Sequence, residues 1–446
     1  MDDAMKDRRG HVIIGSILKE TGSHVAGWQH PSVNIDNGME VDNFINFAKI
    51  SEAAKLDFVF LADSPSVSYQ FQPEILSRVP LIYHMEPMTL LSAIATGTEK
   101  IGLVGTMSTT FNEPYNVARL VGTLDHISKG RAAWNVVTTI NEQAAPNFGF
   151  EKLPPKHDRY ARASEFVDVV DGLWKSWEPD AILKDRERGI FLDPGKFRFL
   201  NHKGRHFSVR GPLNVIRSPQ GKPVIFVAAS SSDGLDLGAR TADAMFMAQQ
   251  DFGEAQAAYA DVKARAAGHG RDPDDLAIVL GAQFIVGGSE EEARAKYDAL
   301  QSMADISLGL GYLSHLAQED LSSHDLDRPP PARLLENRDN SRLSIVLTAA
   351  LSEGLTLRET AMRYADGYGH LSVVGSIMQI ADFIEHWFVN RAADGFALRI
   401  PYMPQALIDF NTMVLPELRK RGLFKSDYAG KTFRENIKAA VKRPSG

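Results

Sequence analysis

The sequence predicts an α/β fold, a (β/α)8 TIM barrel with insertions, and three observations carry that reading. First, five apolar runs, Phe58–Asp63, Ile101–Thr109, Arg131–Thr139, Pro223–Ser232 and Ala242–Gln250, each end in polar residues. A parallel strand buried on both faces reads as a near-continuous hydrophobic run, and a barrel places its chemistry at the C-terminal ends of its strands. Second, strand-like and helix-like segments take turns along most of the chain, the mark of βαβ units. Third, the repeats number about eight, which favours a closed barrel over an open doubly wound sheet.

The elements follow in order. His11–Leu18 is the first strand, and Val41 to Leu56 is an amphipathic helix with Phe44, Ile45 and Ala48 near helical spacing. Pro87 and Pro114 each open a helix at a tolerated first-turn position. The longest helix runs from Arg159 to Trp177 and stops before Pro179. Ala277–Val286 is a strand followed by a helix that Ser289 and Glu292 start as a capping box. Gly395–Ile400 is the last strand, and a helix runs from about Pro404 to Arg421. Two stretches interrupt the alternation. Residues 180–222 hold a β-hairpin around His202-Lys203-Gly204, and residues 306–368 form a longer insertion with Pro329-Pro330-Pro331. Insertions of this kind form lids, substrate walls or surface excursions. Residues 1–446 are expected to form one barrel domain, with a basic extension after about 431 that wraps the surface.

Composition bounds the function. A hydrophobic fraction of 44% is ample for a large core, and a net charge of −7 without a clustered basic face speaks against nucleic acid. No window reaches the roughly 18 consecutive apolar residues of a membrane span, and the polar N-terminus does not read as a secretory signal. Zero cysteines exclude disulfides, thiolate metal ligands and a cysteine nucleophile, and fit a cytoplasmic protein. Neither GxGxxG after a strand nor GxxxxGK[ST] is present, and HExxH and GxSxG are absent, so no metal site is expected.

What remains is polar. Ser230-Ser231-Ser232-Asp233-Gly234 lies between a strand and a helix, where hydroxyls and free N–H groups cradle a phosphate or simply cap the helix. Asn135 and Thr138-Thr139 suit a polar ring edge. Asp63 suits a ribityl hydroxyl or, equally, neighbouring loop amides. His157-Asp158-Arg159-Tyr160 at the start of the long helix offers cationic and hydroxyl donors that suit a phosphate, although alone it reads as an N-cap.

The segments GWQHPSV (Gly27–Val33), FVFLAD, EPMTLLSAIATGTEKIGLVGTMSTT, YNVARLVGTLDHISKGRAAWNVVTT, RGPLNVIRSPQGKPVI and AADGF (Ala392–Phe396) run in order through most of the chain. In them the sequence resembles the bacterial-luciferase-like flavin monooxygenases, in the branch of nitrilotriacetate, EDTA and dibenzothiophene-sulfone monooxygenases. The resemblance implies a homodimer or homotetramer that binds reduced FMN (FMNH2). A separate NAD(P)H:flavin reductase supplies it, by transient contact or through free flavin. Oxygen and a small N- or S-containing organic substrate complete the reaction. Carried over by motif, Asp63, Thr106 and Asn135 hold the flavin ring and ribityl chain, and His157, Tyr160, Ser230 and Ser231 hold its phosphate. His157 and Tyr160 are three apart where the family spaces the pair by four, and Leu235 stands where an Arg often follows the glycine. On the substrate side, the resemblance points to His24, His30 and His315 for catalysis and to Phe60 and Phe246 as pocket wall. Deazaflavin-dependent hydride transfer on the same fold and a non-redox barrel lyase are the alternatives, the second weakened by the lack of an evident strand-end lysine.

Overall fold

In a computed structural model of the chain, which describes residues 10–67, 77–78, 83–317, 319–336 and 341–441, eight parallel strands close into a barrel. They are β1 (Ile13–Ile17), β2 (Phe58–Leu61), β3 (Gly102–Ser108), β4 (Ala132–Val137), β9 (Val224–Ala228), β10 (Ala244–Met247), β11 (Ala277–Gly287) and β13 (Gly395–Arg399). They adjoin in that order, and β13 returns to β1 with Ile13 opposite Gly395 and Ile17 opposite Arg399. Between β4 and β9 the first insertion folds as two hairpins, β5 (Ile182–Asp185) with β6 (Ile190–Leu192) and β7 (His202–Lys203) with β8 (Ser208–Val209). The second hairpin is the expected one; the first is not evident in the sequence.

Alternate residues of each strand fill the barrel. Ile13, Phe58, Val104, Ala133, Phe226 and Val279 form the inner cluster, whereas Ile14, Val59, Leu103 and Trp134 face the helices. Helix starts follow local chemistry. Glu86 accepts from the N–H groups of Met88 and Thr89 ahead of Pro87–Gly97, and Ser289 accepts from Glu292 N ahead of Glu290–Ser302. The return half of the expected capping box goes one residue earlier, from Gly288 N to Glu292 Oε2. The helix expected from Pro404 to Arg421 is three pieces, Gln405–Asp409, a π-turn at Phe410–Val414, and Leu415–Lys420.

Two departures concern the ends of the barrel. The tail does not wrap the surface: helix Phe433–Val441 closes the N-terminal end of the barrel. Phe433 is fully buried against Phe58 and Phe226, and a Cβ on Gly102 would stand 2.5 Å from its ring, so glycine is what lets the plug seat. The insertion at 306–368 is helical, with helices Ile306–Ala317, Ser341–Ser352 and Leu357–Gly367 around a small core of their own. It ends in β12 (Leu371–Ser376), a strand the sequence reading missed, which pairs with the overhanging half of β11. A shared cluster of Val25, Leu308 and Ala365 joins this insertion to the loop after β1, above the C-terminal ends of the strands.

The RSPQG block is structural. Ser218 Oγ and Gln220 Nε2 both donate to the buried Asp125 carboxylate, the latter at 2.6 Å, and Gln220 also donates to Ala132 O at 2.7 Å. Ala132 N donates to the same carboxylate at 3.0 Å. This network sits at the N-terminal end of β4 and β9, away from the chemistry end. Beside it, the buried Arg131 guanidinium donates to Ala95 O and Thr98 O, carbonyls that the end of helix Pro87–Gly97 leaves open, and to Ile101 O just before β3.

Candidate active site

At the C-terminal end of the barrel, Thr106 and Asn135 are opposite one another on β3 and β4, one step above the inward-facing Val104 and Ala133. Asn135 Nδ2 donates to Thr106 Oγ1 at 2.9 Å, and its Oδ1 is buried with no hydrogen-bond partner. A buried amide oxygen left open costs free energy unless a ligand donor completes it. On the next strand over, Asp63 follows β2, and His84 Nε2 lies 3.5 Å from its Oδ1. Phe60 and Phe246 stack across the interior at 5.6 Å between centroids.

A second group forms where β9 meets helix Ser232–Thr241. Ser231 is the N-cap, but its hydroxyl makes no cap bond and instead donates to Tyr160 OH at 3.0 Å. Gly234 is needed there: a Cβ would stand 2.5 Å from the Ala229 methyl and 2.9 Å from Tyr160 OH. Helix Lys156–Trp174 begins three residues earlier than expected, which puts His157 and Tyr160 in its first two turns. Both line an open cleft of about 410 Å³ with Ser232, Asp233, Arg240 and Arg265. His157 points outward, its side chain 79% exposed beside Asp158. Arg265 comes from the following helix, Phe252–Gly268, and its Nη1 reaches the carbonyl and hydroxyl of Ser232 at 3.4 Å each.

Two of the three predicted histidines have described side chains, and each has its own partners. His24 is buried beneath the insertion; its Nδ1 accepts from Ala26 N at 3.0 Å, so a neutral ring carries its proton on Nε2, 3.7 Å from Asp366 Oδ1. Burial holds the ring's pKa down to about 4, and burial raises the Asp366 carboxyl to about 6. His30 stacks on Tyr402 at 3.8 Å and pairs with Ser32 Oγ at 2.8 Å. His315 lies on helix Ile306–Ala317, and its side chain falls outside the described residues.

Sequence reasoning missed three residues of this mouth, His84, Lys19 and Arg265. His84 has no periodic context. Arg159, grouped with His157 and Tyr160 as a cationic donor at the helix start, turns its guanidinium to Thr139 O just past β4. Lys19, two residues past β1, is a strand-end lysine after all, its pKa lowered by burial and raised again by the nearby Glu20. Arg265 lies in a helix whose link to the serine loop is purely spatial. Among the described residues no cluster of His, Cys, Asp and Glu could hold a metal ion, and no helix is long and apolar enough to cross a membrane.

The family model for luciferase-like monooxygenases matches residues 21–393. The chain belongs to the luciferase-like monooxygenase family. As a member it is a flavin-dependent monooxygenase, and its barrel is the fold of that family. It is 45% identical to N-acetyl-S-(2-succino)cysteine monooxygenase of Bacillus subtilis, over 97% of this chain and 98% of that protein. It is 42% identical to nitrilotriacetate monooxygenase component A of Aminobacter aminovorans, with the same shares covered. A solved riboflavin lyase holding a modified FMN superposes with a TM-score of 0.86 at 32% identity, over 96% of each chain.

Proposed function

We infer that this monooxygenase is the oxygenase half of a two-component system: it takes reduced FMN from a separate NAD(P)H:flavin reductase. With oxygen it oxygenates, or oxidatively cleaves, a small organic N- or S-containing substrate. The observation that carries the reading is the pairing of an unpartnered Asn135 Oδ1 at the ends of β3 and β4 with the Ser231–Tyr160 contact at the end of β9. A ring edge completes the first and a phosphate the second. Bound reduced flavin supplies the electrons that activate oxygen. The residues do the rest. Asn135 and Thr106 fix the ring edge, and Asp63 accepts from the ribityl chain. Ser230, Ser231 and Tyr160 hold the phosphate at the start of helix Ser232–Thr241, where free N–H groups favour an anion. Arg265 supplies the positive charge that Leu235 does not, and His157 borders the outer side of the same cleft. Phe60 and Phe246 make the apolar floor, and the insertion excludes water from above. His24, His30 and His315 are the histidines carried over for the substrate side.

Two relatives act, by name, on nitrilotriacetate and on N-acetyl-S-(2-succino)cysteine, so these two compounds are the first probes. The test is product formation from each with FMN, NADH, oxygen and an unrelated flavin reductase. The chain alone is expected to bind FMN weakly and to leave NADH unoxidised; robust NADH consumption without a reductase contradicts the two-component reading. Replacing Ser231 with Ala should remove one charge-assisted hydrogen bond, worth about 1.5–3 kcal/mol, and weaken FMN about tenfold or more. Riboflavin, which lacks the phosphate, should bind both proteins alike; equal FMN affinity removes Ser231 from the site.

A further inference from the structure

The insertion returns to the barrel through Asp366-Gly367-Tyr368-Gly369-His370, a turn with two successive left-handed residues, Tyr368 at φ 51° and Gly369 at φ 78°. A bulky side chain in that region is uncommon and persists where the surroundings hold it. Here three contacts hold it. Gln283 Nε2 donates to Asp366 Oδ1. The Arg399 guanidinium lies 5.2 Å from the centre of the Tyr368 ring. The His370 ring fits where Gly281 has no side chain: a Cβ on Gly281 would stand 2.4 Å from His370 Nδ1. Ala277 and Val279 face the barrel interior, so Gly281, two further along β11, faces it too. The imidazole therefore enters the barrel itself and packs on Phe246 at 5.4 Å between centroids.

The strand order places this ring opposite the flavin groups. Asp63, Thr106, Asn135 and Ser231 follow or sit on β2, β3, β4 and β9, which are neighbours in the barrel wall. His370 covers β10 and β11 on the other half, with Phe246 and Phe60 between. We propose that His370 is a catalytic residue of the monooxygenase, delivered by the insertion to the substrate side of the cavity, where its imidazole touches the substrate held against the flavin. The proposal rests on the flavin placement argued above and goes beyond it by giving the facing wall a residue. It also gives the turn a purpose, since a lid that only excluded water would not need an imidazole inside the barrel.

The variants His370→Gln and His370→Phe keep the turn and much of the ring's volume. With nitrilotriacetate or N-acetyl-S-(2-succino)cysteine as probe, each should raise KM or lower kcat by about tenfold or more, while FMN affinity stays within about threefold. Hydrogen peroxide released per oxygen consumed should rise. Gly281→Ala should displace the ring and do the same; adding His370→Ala should restore the thermal midpoint of Gly281→Ala but not its turnover, separating a displaced ring from a damaged fold. A readout independent of turnover is the Cε1–H resonance of His370, assigned by its loss in His370→Gln, which the ring current of added FMN should move. Unchanged turnover and coupling in both His370 variants overturn the proposal, and so does a resonance that bound FMN leaves in place, whichever compounds the enzyme accepts. A wild-type chain that binds no FMN overturns the flavin reading, and with it this one.

Discussion

Replacing Asp125 with Ala is expected to cost about 2–6 kcal/mol of stability, the scale for leaving two buried donors without their acceptor. The carboxylate is fully buried, with its pKa raised by that burial and pulled back down by Ser218, Ala132 and Gln220. Its loss leaves the Ser218 hydroxyl and the Ala132 N–H without their acceptor, each at a desolvation penalty of about 1–3 kcal/mol, while the Gln220 amide keeps its bond to Ala132 O. The network ties helix Pro114–Ile127, the start of β4 and the approach to β9 to one another, and Arg434 N donates to Gln220 Oε1 at 3.1 Å, so the C-terminal plug hangs on it as well. Asp125→Asn keeps the shape and can accept from Ala132 N, so it should lose about half as much. Urea unfolding followed by tryptophan fluorescence is a fitting measure, because Trp134 and Trp174 lie edge to face at 6.3 Å in the adjoining core. An alanine variant within about 1 kcal/mol of wild type would show that the network is dispensable.

That network also explains what the sequence could and could not disclose. The barrel was legible because buried parallel strands leave long apolar runs and βα repeats leave alternation. The polar strand ends were legible for the same reason: Thr106, Asn135, Ser230 and Ser231 each interrupt or follow an apolar run, and the fold brings Thr106 to Asn135 and Ser231 to Tyr160. What a polar motif does was not legible. RSPQG and the serine loop are both short, polar and next to β9, yet one precedes the strand and braces the fold while the other follows it at the chemistry end. The plug helix carries a readable Phe433, Ile437, Ala440 stripe, but its target is assembled from β2, β3 and β9, which lie far off in the chain. The Asp366–His370 turn was hidden most completely. Its contacts run to Gln283, Arg399, Phe246 and His24, four separate elements, and no local period or motif announces such a meeting.

His24 and Asp366 are expected to give stability opposite dependences on pH, each visible only when the other is removed. The His24 ring takes up its proton near pH 4 in the folded chain and near 6.5 in the unfolded one, so acidification through that window favours unfolding. Asp366 takes up its proton near pH 6 when folded and near 3.8 when unfolded, so acidification through that window favours the fold. Each effect amounts to about 3 kcal/mol across its window, at about 1.4 kcal/mol per pH unit. Between pH 4 and 6 the two nearly cancel, which suits a pair only 3.7 Å apart under the insertion. Substituting His24 with Gln removes the first, and the variant should gain stability relative to wild type as pH falls from 7 to 4.5. Substituting Asp366 with Asn removes the second, and that variant should lose stability over the same interval. Urea midpoints at pH 7 and 4.5 decide the matter by sign alone: variants that move in the same direction would mean that the two groups do not titrate as a buried, opposed pair, and that acid acts on this chain elsewhere.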